Sequence, residues 1–83
     1  MRITVLYFAS LREARTAESD AIELPAGARV ADLLNVLRAG PLAAIDGGLF
    51  ASLLVAVNQT VVSSGHEVEE GDEVALFPPM TGG

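Results

Sequence analysis

Val30-Ala31-Asp32-Leu33-Leu34-Asn35-Val36-Leu37 places apolar side chains at 30, 33, 34 and 37. That i, i+3, i+4, i+7 spacing is the stripe of an amphipathic helix, one face of which is made to be buried. Asp32 in its first turn and Arg38 in its last both complement the helix dipole. Pro25-Ala26-Gly27 signals a turn ahead of it, and Gly40-Pro41 stops it. An apolar stripe needs a surface to lie on, and the flanking sequence supplies strands on both sides.

Upstream, residues 2–8 alternate, with Ile3, Val5 and Tyr7 on one side and Thr4, Leu6 and Phe8 on the other. This is the period of a strand. Residues 10–17 predict a short helix, with Ser10 at the N-cap and Glu13 at capping-box spacing. Residues 20–24 alternate as a second strand, closed by Pro25. Downstream, residues 42–50 read as a short helix followed by a turn at Gly47-Gly48. Residues 52–57 form a nearly continuous apolar run, a strand buried on one face and partly on the other. Asn58-Gln59 reads first as a turn and second as a partner contact, and Thr60-Val61-Val62 as a short returning strand. Gly65 to Asp72 is a solvated acidic loop with an exposed His66. Residues 73–77 make the last strand, which Pro78-Pro79 ends because neither proline can donate to a ladder. The order predicts an α+β domain: a small mixed sheet with one main helix packed on one face.

Composition narrows the function. The 83 residues are 51% apolar and 19% charged, enough for one small folded domain with little room for an enclosed pocket. Eleven acidic residues against five arginines and no lysine give a net charge of −6. This disfavours nucleic acid and anionic membrane surfaces and suits a basic protein partner. There is no cysteine and one histidine, so no thiolate nucleophile, disulfide, Cys-based metal site or His-rich site can form within one chain. No apolar run approaches a membrane span, and residues 1–8 look like a strand rather than a signal segment; a cytoplasmic location is expected.

The remaining chemistry is at the C-terminus. Residues 1–77 are expected to form the domain and 78–83 a flexible arm ending in Gly82-Gly83. Six residues reach roughly 20 Å, and two residues without Cβ can enter a narrow channel. The Gly83 carboxylate is then a presentable group. If Ile3, Val5, Tyr7, Val74 and Leu76 face the helix, Leu6, Phe8, Leu54, Ala56 and Phe77 face away. They would form an exposed apolar patch at the root of the arm, unless residues 42–50 cover it.

The runs Leu54-Val55-Ala56-Val57-Asn58-Gln59-Thr60 and Glu70-Gly71-Asp72-Glu73-Val74-Ala75-Leu76-Phe77-Pro78-Pro79-Met80-Thr81-Gly82-Gly83 closely resemble the small, sulfur-carrying subunit family of molybdopterin synthase. Val5-Leu6-Tyr7-Phe8-Ala9 with Leu11-Arg12-Glu13 is similar too. Leu76 and Met80 stand where the family often has Phe and Val, and both keep apolar bulk. The resemblance implies a β-grasp, ubiquitin-like fold. It implies that a ubiquitin-activating-type adenylyltransferase uses ATP to adenylate Gly83, and that a sulfur-donating enzyme then leaves a thiocarboxylate there. This chain would bind no cofactor and no metal. The arm would insert into the large synthase subunit and give sulfur to cyclic pyranopterin monophosphate, in a heterotetramer. Phe8, Phe77 and Val61 would anchor the docking face, and Pro78, Pro79, Met80, Thr81 and Gly82 would line the channel. The catalytic acids and bases would come from the partner. A carrier for another thiolated product, or a protein modifier joined through Gly83, carries the same tail.

Overall fold

The computed structural model describes residues 1–79. The elements follow in the order β1 (Arg2–Tyr7), α1 (Ala9–Arg15), β2 (Ser19–Glu23), α2 (Val30–Ala39), α3 (Gly47–Ala51), β3 (Leu54–Val57), β4 (Thr60–Val61) and β5 (Glu73–Phe77). They build one five-stranded sheet in the order β2-β1-β5-β3-β4. The two central strands, β1 and β5, are parallel, with Val5 opposite Val74 and Tyr7 opposite Leu76. Antiparallel partners flank them: β2 pairs with β1, and β3 pairs with β5 and β4. This mixed sheet with its helices on one face is the β-grasp, ubiquitin-like fold.

The core lies between the sheet and α2. Val30, Leu33 and Leu37 of α2 are fully buried against Ile3, Val5, Val55, Val57, Val74 and Leu76. Leu11 of α1 joins them. Alternation along β1 and β5 is as the sequence predicts, because a one-residue slip would turn every apolar side chain to water. Asp32 accepts a hydrogen bond from the Arg29 backbone N–H at 2.8 Å, closing the start of α2.

Three local expectations are corrected. Ser10 does not cap α1. The Leu11 and Arg12 amides donate to the Phe8 carbonyl, so Phe8 holds the cap position, and Ala9 turns the chain with φ +52°. Gly47-Gly48 is not a turn but the first turn of α3, because the Asp46 carboxylate accepts from the Leu49 N–H at 3.1 Å and caps a helix there. The strand expected from residue 52 starts at Leu54, since Ser52 caps the end of α3. Residues 42–50 stay with α2: Leu42 and Ile45 are in the core, and Arg38 donates to the Leu42 and Ile45 carbonyls and lies 5.1 Å from the Phe50 ring centre. They do not close the other face of the sheet.

Candidate docking face at the root of the C-terminal arm

Strand alternation puts a second row of side chains on the face away from α2. Leu6 is opposite Ala75, Ala75 opposite Ala56, and Ala56 opposite Val61. Two alanines therefore form the floor at mid-sheet. Leu54 is opposite Phe77 at the exit of β5. Phe8 follows β1 and donates its backbone N–H to the Leu76 carbonyl at 3.2 Å, which holds it beside the same exit. Small residues between large ones make a groove of about 690 Å³, lined by Phe8, Ala9, Ala56, Gln59, Val61, Ala75, Phe77, Pro78 and Pro79. Phe8 and Val61 are 45% and 63% exposed, and because both line this one groove they form part of a contiguous apolar patch rather than scattered surface residues.

The structure thus brings five of the sequence-selected residues, Phe8, Val61, Phe77, Pro78 and Pro79, around one groove. Met80, Thr81, Gly82 and Gly83 lie outside the described residues. Ala56, placed on this face by strand alternation, and Gln59, read second as a partner contact, also line it, whereas sequence reasoning did not select Ala75 or Ala9. The pairing register sets Ala75 beside Ala56 as the floor, but register is not written in any one strand.

The groove's far end is held by a side-chain clamp. Asn58 and Gln59 both have positive φ, +49° and +73°, in the two-residue turn between β3 and β4. Asn58 donates from Nδ2 to Asp72 Oδ1 at 2.9 Å and accepts from the Glu73 N–H at 3.0 Å. Its own N–H donates to the Glu73 carbonyl at 2.8 Å. Asp72, largely buried, also accepts from the Glu69 N–H at 2.8 Å. The hairpin is thereby tied to the start of β5.

Charge is arranged elsewhere. Each arginine is engaged by its own chain: Arg2 with Glu23, Arg12 with Glu18, Arg15 with Asp20, Arg29 with the Gly65 carbonyl, and Arg38 with the carbonyls above. The loop before β5 keeps Glu67 and Glu69 exposed, with Glu73 just beyond it. The surface that remains is apolar at the groove and acidic at that loop. Among the described residues, no helix is long and apolar enough to cross a membrane.

The fold is that of a ubiquitin-like, β-grasp protein, and comparison with known proteins places it in the sulfur-carrier class. The ThiS family model matches residues 5–83, and the chain belongs to that family. It is 44% identical to the molybdopterin synthase sulfur carrier subunit of Escherichia coli strain K12, over 98% of this chain and 99% of the relative. It is 38% identical to the sulfur carrier subunit of the same name from Chlamydomonas reinhardtii, over the full length of both. Among solved structures, SAMP1 from Haloferax volcanii superposes with a TM-score of 0.82 at 29% identity, covering all of both chains.

Proposed function

We propose that this chain is the sulfur-donor subunit of a molybdopterin synthase, with residues 78–83 as the arm that carries the sulfur. The observation that carries the reading is the apolar groove at the exit of β5, continuous with Pro78 and Pro79, in a chain this similar to curated sulfur carrier subunits. The large subunit docks on Phe8, Val61 and Phe77. Pro78, Pro79, Met80, Thr81 and Gly82 thread its channel, and Gly83 arrives at the pterin.

The chemistry follows from the carboxylate. Its charge is delocalised over two oxygens, so it is a poor electrophile. An adenylyltransferase of the ubiquitin-activating type joins it to AMP from ATP and releases pyrophosphate. A sulfur nucleophile from a sulfur-donating enzyme then displaces AMP and leaves a thiocarboxylate. In the cytoplasm the loaded arm gives its sulfur to cyclic pyranopterin monophosphate, and Gly83 returns as a carboxylate. With no Cys in the chain, sulfur cannot be carried on a side-chain thiol or persulfide, which supports a carboxyl-derived acyl sulfide as the carrier.

The likeness to SAMP1, a small archaeal modifier protein, supports a second reading: conjugation to lysines of other proteins through Gly83. Copies of this chain, having no Lys, could not accept it on a side chain.

Intact-protein mass spectrometry, after incubation with ATP, an activating enzyme and a sulfur source, tests the proposal. The expected result is a gain equal to replacing one oxygen by sulfur, mapped to Gly83. Removing Gly82-Gly83 is expected to leave folding stability unchanged and to abolish sulfur transfer to the pterin. Transfer by that truncation would overturn the reading, and heavier conjugates that resist denaturation would favour the modifier.

A further inference from the structure

Among the described residues that line the groove, Gln59 alone has a polar side chain; Phe8, Ala9, Ala56, Val61, Ala75, Phe77, Pro78 and Pro79 are all apolar. Its backbone is unusual as well. It is the second residue of a two-residue hairpin turn with φ +73°, a position that favours glycine. A residue with a long side chain is strained there, and backbone strain of this kind clusters at functional sites. The turn cannot relax by moving, because Asn58 ties it to Asp72 and Glu73 through two side-chain hydrogen bonds and one backbone bond. Gln59 is thus an exposed amide on a fixed backbone at the rim of an apolar groove.

Apolar contact is non-directional, so a groove of alanines, a valine and two phenylalanines gives adhesion without a defined register. A residue-long error in seating would leave the arm's end out of place in a narrow channel. One amide at the rim supplies direction. It offers an N–H donor and a carbonyl acceptor side by side. In an extended chain, the N–H and C=O of a single residue point the same way and match that pair. A partner lacking such a residue would leave the amide buried and unpaired, which penalises wrong partners more than it rewards the right one.

We propose that Gln59 is the residue that sets the register of the docking face, pairing through its side-chain amide with the main chain of an extended segment on the large synthase subunit. This rests on the docking reading above. The test uses the full chain, the purified large subunit, titration calorimetry and thermal unfolding. Gln59→Gly removes the amide and relieves the positive φ. The expected outcome has opposite signs: a higher Tm together with an affinity at least about tenfold weaker. A Gln59→Gly chain that unfolds at lower temperature would overturn the proposal, because Gln59 would then be holding the hairpin. Unchanged affinity in Gln59→Gly, with binding lost in Phe77→Ala, would overturn it and leave the docking reading standing. Unchanged affinity in both variants would remove the docking face and the proposal with it.

Discussion

Tyr7 is 2% exposed, yet it carries a hydroxyl that needs a partner. It donates to Asp20 Oδ2 at 2.8 Å, and Arg15 holds the same carboxylate from the other side, through Nε at 2.9 Å and a terminal nitrogen at 3.1 Å. Burial, with the Asp20 hydrogen bond and charge behind it, pushes the Tyr7 hydroxyl well above its usual range. For Asp20, burial works against the charged form, but the hydrogen bonds from Arg15 and Tyr7 and the Arg15 charge outweigh it and hold the carboxyl below its usual value. The two shifts act at opposite ends of the pH scale. Asp20 contributes stability that is present above the ordinary aspartate range and lost as pH falls through its lowered native value. Tyr7 contributes stability that is full below the unfolded tyrosine value of about 10 and lost as pH rises toward its native one. Urea unfolding across pH checks both. Tyr7→Phe is expected to flatten the alkaline limb and to cost about 1 kcal/mol at neutral pH. Asp20→Asn is expected to flatten the acid limb. An alkaline limb unchanged by Tyr7→Phe would mean that another group sets it.

At the scale of elements, the helical stripe of α2 and the alternation of β1 and β5 were legible because each is a periodic pattern repeated several times. Capping and register were not. Gly47-Gly48 reads as a turn by composition, yet Asp46 converts it to a helix start, and the available signal was an acidic residue placed to receive the Leu49 amide. Asn58 reads correctly as a turn residue, but its pairing with Asp72 across fourteen positions depends on β3 lying beside β5. That pairing sets a prediction for the β3–β4 hairpin. Asn58→Gly keeps the positive φ and removes both side-chain bonds, leaving the Asp72 carboxylate short of one donor. Stability is expected to fall by about 1–3 kcal/mol. Asn58→Ala is expected to fall further, since alanine also strains the turn. Denaturant midpoints for the two variants separate bond loss from backbone strain. A glycine variant as stable as the parent would show that the clamp contributes nothing.

The molecule as a whole has one packed face and one open face on the same sheet, and adjacent residues of β5 belong to opposite ones. Ala75 is half-buried, on the floor of the groove between Leu6 and Ala56. Leu76 is fully buried against α2. Sequence alternation separated the two faces, and the resemblance pointed to which one a partner would use, but the concavity comes from alanines that only the register lines up. Enlarging one residue and truncating its neighbour should therefore give contrasting results. Ala75→Leu adds bulk toward solvent in the groove, so folding stability is expected to stay within about 0.5 kcal/mol of the parent. On the docking reading proposed above, affinity for the large synthase subunit should nevertheless drop by roughly tenfold or more, because the groove that would seat the partner's apolar side chains is filled. Leu76→Ala opens a cavity under α2 and is expected to cost about 2–5 kcal/mol of stability. Its docking surface is intact, so the fraction that remains folded should bind with near-parent affinity. Urea unfolding and calorimetric titration on both variants read the two axes independently. An Ala75→Leu chain destabilised as strongly as Leu76→Ala would mean that the second face is packed in solution. An Ala75→Leu chain that is stable and binds normally would mean that the large subunit seats elsewhere on the molecule.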